Sequence, residues 1–325
     1  MSIANPVPET WELTGDDAKK TLEHTSRSAL VKDAFTRLRM SDGFSHARSM
    51  GFLVILVFVQ VVIGAVGIAS ALGTGKLSRG IVSALQSIVP GPAGRVLTQA
   101  VRHAHQVSSS GQWVAIVVGT IGALVTGTTL MGQMERALNR IYGIERDRPA
   151  PPKYGQAFLL TISAGLLGVL GFAALGLGDA IASSFAGSTA ATIWNIVRWP
   201  VGIGLLIASS AMIMRWSPRR HQPSWSWLSL GALAGVGMVA LVTLALNLFF
   251  QVSTTFGSTY GPLAGVIALA FWGYFASAGF LYGAALSAQL EAVRAGASEP
   301  LSDRKAVESD PRTTTTGLPT VARAS

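Results

Sequence analysis

The fold is decided by VSTTFGSTYGPLAGVIALAFWGYFASAGFLYGAALSAQL, residues Val252–Leu290, 39 residues without one Asp, Glu, Lys, Arg or His. Pro262 suits the first turn of a helix, where its missing N–H removes no hydrogen bond. From there to Ala288 is 27 residues, roughly 40 Å of helix at about 1.5 Å per residue. A hydrocarbon core is roughly 30 Å thick, so this helix spans a bilayer with length to spare. Ala268, Ala276, Gly279, Gly283 and Ser287 fall along one stripe of it. Small side chains let a second backbone approach closely, which is how helices associate in lipid. The stripe therefore marks Ala276, Gly279, Gly283 and Ser287 as helix-packing or path-lining positions.

Working outward, five more apolar segments precede it, at roughly 49–72, 113–131, 156–178, 192–214 and 227–250, with the last span at 262–288. Each has the length a spanning helix needs. The 325 residues are 50% hydrophobic and 13% charged, against about 25% charged in a soluble domain. The mean hydropathy is +0.45. The expected fold is an all-α integral membrane protein of six transmembrane helices. No cysteine is present, which excludes disulfides, thiolate catalysis and cysteine metal sites. The first 47 residues hold no apolar run long enough for a signal-peptide core, so the first span is expected to act as an uncleaved signal-anchor.

The net charge of +9 could point to nucleic acid, but its distribution follows membrane topology. With the N-terminus in the cytoplasm, residues 1–48, 132–155, 215–226 and 289–325 hold seven, five, three and five Lys or Arg, twenty of the chain's 25. Four of the others lie in 73–112, and Arg198 sits at an outer helix end between Trp194 and Trp199. That is a positive-inside pattern with both termini cytoplasmic. Trp216, Trp225 and Trp227 mark the inner interface, and Trp113, Trp194 and Trp199 the outer one.

Outside the spans, the sequence divides into a cytoplasmic N-terminal region (1–48), a membrane domain (49–290) and a Ser/Thr/Gly/Pro-rich tail (291–325) that is expected to be disordered. Met1–Thr25 is polar and is expected to be loosely ordered. In Leu30–Met40, Val31, Ala34, Phe35 and Leu38 fall on one face and Lys32, Arg37 and Arg39 on the rest. This pattern predicts a basic amphipathic helix lying in the membrane interface. The 73–112 loop carries helical spacing on both sides of Pro90-Gly91-Pro92, which predicts an amphipathic helical hairpin on the outer surface between spans one and two.

Glu135-Arg136-Ala137-Leu138-Asn139-Arg140-Ile141-Tyr142-Gly143, after the second span, resembles the A-L-N-x-(I/A)-(W/Y)-G pattern of the YihY/BrkB family. Tyr260-Gly261-Pro262, Trp272-Gly273-Tyr274 and Gly283-Ala284 in the last span add to the likeness, and Asp42–Ala47 fits an actinobacterial-looking branch. The match covers about residues 30 to 295. The resemblance implies a bacterial inner-membrane protein of six helices, linked in some members to virulence or serum resistance and in others to envelope lipid export. It also carries an old ribonuclease label, widely regarded as a misassignment. The chain departs from the family at Ala285 and Ser287, where many members carry an acidic residue and an Asn, and at Gln60, where many have a proline.

Metal-dependent phosphodiester cleavage needs several His, Asp or Glu around one or two ions. The five histidines are scattered, and His103-x-His105 is the one close pair, on the outer loop, where helical spacing splays the side chains apart. The sequence implies no metal centre, no cofactor and no catalytic residue. Coupled carriers usually show an intramembrane Asp, Glu or His. Here the spans offer Gln60, Asn247, Thr120, Thr126, Thr128 and Thr129, which are expected to hydrogen-bond between helices. The densest charged cluster is Glu135–Lys153. In it Arg136 and Arg140 share a helical face beside Asn139, and two guanidiniums at headgroup level suit a lipid phosphate.

The leading expectation is a non-enzymatic membrane protein that moves or presents an amphiphilic envelope component such as an anionic lipid. Arg136, Asn139 and Arg140 would sit at the headgroup, and the stripe of the last helix would line the path. The alternative is a scaffold that organises envelope proteins, and a membrane-bound ribonuclease ranks last. Membrane lipids are the expected partners, with envelope proteins or a second copy of the chain as further candidates and no nucleic acid.

Overall fold

A computed structural model describes residues 4–71, 112–176, 188–253 and 263–300, together with positions 92, 178, 182, 256, 259 and 260. Among the described residues the regular structure is helical throughout: α1 (Gly15–His24), α2 (Arg27–Met40), α3 (Gly43–Ala71), α4 (Gln112–Ile141), α5 (Ala150–Leu160), α6 (Leu166–Gly176), α7 (Ser188–Trp216), α8 (Trp225–Val252) and α9 (Leu263–Arg294). A π turn over Thr161–Gly165 joins α5 and α6 into one span. Such a turn loosens the usual carbonyl pairing, and Ser209 Oγ on α7 donates to the Ala164 carbonyl there at 2.8 Å. Six helices are thus long and apolar enough to cross a membrane, as the sequence predicts.

The last helix is the hub. Half of its most apolar window is buried within the bundle, against 6–28% for the other spans. It packs on α3, α8 and α2, while α4 lies along α3 and α7 along α6. Two close approaches fix it. A Cβ on Gly283 would lie 2.5 Å from the Gly231 carbonyl oxygen and from the Gly235 nitrogen, so α8 and α9 touch backbone to backbone. On another side, a Cβ on Gly273 would lie 2.7 Å from the Gly51 carbonyl oxygen of α3. Both contacts need glycine because any side chain would separate the helices.

The structure corrects several expectations. Met1–Thr25 is expected to be loose, yet α1 occupies most of its second half and Ala4, Val7, Ala18 and Thr21 are buried. Asp17 starts α1 by accepting from Thr14 N at 3.1 Å and Thr14 Oγ1 at 2.8 Å, local chemistry that outweighs the segment's polarity. The predicted apolar face of α2 splits: Ala34 and Leu38 are buried, while Val31 is 51% and Phe35 48% exposed, and the cationic Arg37 is fully buried. Packing on α9 decides that face, since α9 supplies a hydrogen-bond partner for the guanidinium. Trp227, near the start of α8, is wholly buried within the protein. Thr126, Thr128 and Thr129 do not bridge helices; each hydroxyl donates to a carbonyl four residues back in α4.

At the other end of the chain, α9 continues to Arg294, and Asn5 N donates to the Pro300 carbonyl at 3.1 Å. The two ends of the described chain thus meet at one end of the bundle. The hairpin expected over 73–112, with His103 and His105, falls outside the described residues except at positions 92 and 112, as does the tail beyond residue 300.

Candidate functional site

Two features stand out: an apolar groove in the side of the bundle and a buried polar cluster at the end that carries the termini. The groove encloses about 510 Å³, within the roughly 300–1,000 Å³ typical of ligand pockets. One wall is α2, through Val31, Lys32 and Phe35; the other is Met238 and Val242 of α8 with Phe275, Ala278 and Gly279 of α9. The groove exists because α2 crosses α9 on one face only. Leu30, Ala34, Arg37 and Leu38 are buried, leaving Val31 and Phe35 turned into open space. Lys32 and Ser28 of α2 are also among the lining residues, and the surface that the lining presents is almost wholly apolar. Tyr282, which also lines it, donates its hydroxyl to the Val31 carbonyl at 3.3 Å.

The polar cluster centres on Glu291, in the last turn of α9. Its carboxylate pairs with Arg220 at 2.6 Å, both side chains being almost wholly buried. The same oxygen accepts from Thr10 Oγ1 at 2.7 Å and Thr10 N at 3.3 Å. The Arg220 guanidinium lies 4.6 Å over the Tyr142 ring, a cation–π stack in a buried setting. Tyr142 Oη sits beside Ser287 and Gln222, although none of the three forms a hydrogen bond of regular geometry there. Burial, ahead of the nearby Glu291 charge, pushes the Tyr142 hydroxyl well above its ordinary range, so it stays protonated.

Arg37 completes the cluster from α2. Its Nε donates to Gln289 Oε1 at 2.8 Å, and its Nη1 donates to the carbonyls of Asn5 at 2.8 Å and Ile141 at 3.3 Å. Burial pulls this guanidinium down to about 10, which leaves it charged at neutral pH. A charge so placed is stable only while hydrogen-bonded.

The trio expected at a lipid headgroup lies in the connection between α4 and α5. Asn139 is fully buried; its Nδ2 donates to Asp147 at 2.9 Å and its Oδ1 accepts from Arg219 N at 2.8 Å. Arg140 curls over the helix end onto the carbonyls of Ile144 and Glu145, at 2.9 and 2.7 Å. Arg136, half exposed, lies 3.4 Å from Asp147. Burial would raise the Asp147 carboxyl, but the Asn139 amide and Lys153 overrule it and hold the group below its ordinary value. Asn139 and Arg140 thus fold the loop, and Arg136 alone of the three turns a half-exposed guanidinium to solvent.

Of the small-residue stripe, Gly283 and Ser287 face the α8 backbone, with Ser287 Cβ 2.6 Å from where a Cβ on Gly231 would stand. Ala276 packs in a cluster with Val62 and Trp272. Gly279 lines the groove. Sequence reasoning missed Glu291, Arg220, Arg37 and Tyr142. Among the described residues, no three of His, Cys, Asp and Glu gather as a metal set.

Among the described residues, five apolar helices of membrane-spanning length together with a sixth, most buried one, α9, define a polytopic helical membrane protein. A family model for Virulence factor BrkB matches residues 34–308, and the chain belongs to that family. It is 26% identical over 273 residues to the UPF0761 membrane protein azo3165 of Azoarcus sp. (strain BH72), covering 79% of this chain and 64% of that protein. The match thus spans less than two thirds of the Azoarcus relative. It is 25% identical over 275 residues to a Bacillus subtilis (strain 168) protein whose name reads ribonuclease-like, YfkH, covering 81% of this chain and 95% of that protein. No solved structure matches the chain.

Proposed function

We propose that this protein is non-enzymatic and binds an anionic amphiphile, in the simplest case a membrane phospholipid, in the lateral groove, passing it between leaflets or presenting it to other envelope components. The groove carries this reading. Its walls are apolar and lie between α2 and the membrane-length helices α8 and α9, and Lys32 stands on the helix that precedes the first span. An acyl chain suits the walls, and a phosphate at headgroup level suits the ammonium. Arg136, at the α4 end of the bundle, offers a second cationic contact. The distribution of Lys and Arg supports an orientation with both termini in the cytoplasm, and in this reading the lipid enters from the inner leaflet of a bacterial cytoplasmic membrane.

The test is movement of a fluorescent lipid between leaflets of proteoliposomes, read with an impermeant quencher. Ala278→Trp fills the groove from α9 at a position other than the Gly283 contact with α8, and Lys32→Glu reverses the charge. The expected result is protein-dependent exchange that Ala278→Trp abolishes, and that Lys32→Glu slows for anionic but not zwitterionic label. Equal exchange by all variants, or none by folded protein, contradicts the proposal.

A further inference from the structure

The wall of the groove formed by α2 is tied to the rest of the molecule through the N-terminal segment. Residues 4–13 contain no helix, yet they bond to four separate places. Asn5 donates through its backbone to the Pro300 carbonyl at 3.1 Å and through its side chain to the Glu299 carbonyl at 2.9 Å. Val7 N donates to the Tyr142 carbonyl at 3.1 Å. The Pro8 carbonyl accepts from Arg220 at 3.0 Å, and Thr10 donates twice to Glu291. The Leu13 carbonyl takes both Ser224 N and Ser224 Oγ. Gly143 keeps room for the crossing: its φ is +75°, and a Cβ there would lie 2.6 Å from Pro6.

This strap bonds to α2 where Arg37 Nη1 donates to the Asn5 carbonyl, and Val7 shares a buried apolar cluster with Leu30 and Leu38 of α2. Among the described residues, Arg37 is the α2 side chain whose hydrogen bonds reach other elements, and its second Nη is buried without a partner. If the strap departs, Arg37 loses one of its three acceptors in a site where an unmet charge is costly, and α2 is left to its packing on α9, the bonds of Arg37 to Gln289 and Ile141, and that of Tyr282 to the Val31 carbonyl. We infer that residues 4–13 are a lock on α2: docked, they hold the groove at its present width, and undocked they free α2 to move outward and admit or release the amphiphile. The inference rests on the lipid reading of the groove for its consequence, but not for its mechanics.

The absence of cysteine makes the test direct in the full-length chain. Spin labels on Val31→Cys and Val242→Cys, which face each other across the groove, report its width by electron–electron double resonance. A separate Ala4→Cys, at a position 5% exposed, reports strap docking by the rate of maleimide labelling. Val7→Asp puts a charge into the strap's buried contact, and Thr10→Val removes one hydroxyl as the mild variant. The expected result is several-fold faster labelling at position 4 with a shift of the 31–242 distance to longer values, larger for Val7→Asp than for Thr10→Val. Faster labelling with an unchanged distance overturns the lock, and so does unchanged labelling in both variants. A distance that lengthens while no variant moves or binds lipid upholds the lock and sinks the lipid reading instead.

Discussion

At Glu291 three parts of the chain meet: the end of α9, the Arg220 loop and the strap. Removing one partner of a buried ion pair costs about 3–5 kcal/mol because it strands the other charge. Glu291→Ala is therefore expected to lower the unfolding temperature of the purified protein strongly, whereas exposed Glu145→Ala should leave it near wild type. Equal effects would show that the pair carries no stability. Asp147 makes a pH prediction. Its carboxyl lies below its ordinary 3.8 in the folded protein, so its contribution is full above that pH and is lost as pH falls through the lower, folded value. Asp147→Asn should flatten this acid-side loss between pH 5 and the folded value, read as unfolding temperature against pH; an unaltered profile would contradict the assignment. These charges were illegible as a cluster in the sequence. Glu291 and Arg220 stand 71 positions apart, and Arg37 and Gln289 stand 252 apart. Each cation read locally is an ordinary topogenic charge, and only the fold shows that two of them are buried.

Among the elements, the contact between α8 and α9 is the tightest joint. Gly283→Val would drive side-chain atoms into the Gly231 and Gly235 backbone, and overpacking of this kind costs typically about 1–3 kcal/mol. Gly237→Ala, where a Cβ meets nothing within 4 Å, is the matched control and should be neutral in thermal unfolding. The same loss from both would mean the helices do not approach as described. The spans themselves were legible because about 20 apolar residues in a row allow few other readings. Of the small-residue stripe, Gly283 and Ser287 lie against the α8 backbone, while Gly279 lines the groove. Which neighbour the stripe met was not legible, since α3 and α8 both present glycine to α9 and periodicity names a face, not a partner. For α2 the pattern misled: an amphipathic helix has one apolar face whether it lies on lipid or on protein, and a buried arginine breaks the pattern only when a distant Gln289 and Ile141 are there to receive it.

Among the described residues, six helices are long and apolar enough to span a membrane, the N-terminal strap bonds across the end that carries Glu291 and Arg220, and a groove lies between α2, α8 and α9. The charge asymmetry predicts that the strapped end is cytoplasmic. Cysteine at Ser2 in intact cells should resist a membrane-impermeant maleimide until the membrane is permeabilised, and ready labelling beforehand would invert the topology. The central claim is that the groove holds an anionic lipid, and the most direct measurement is native mass spectrometry of protein returned from delipidating detergent to mixed lipid. Adducts with an anionic phospholipid in preference to a zwitterionic one, lost in Ala278→Trp and weakened in Lys32→Glu, are the predicted result. Adducts that persist unchanged in both variants, or show no preference for charge, would contradict it.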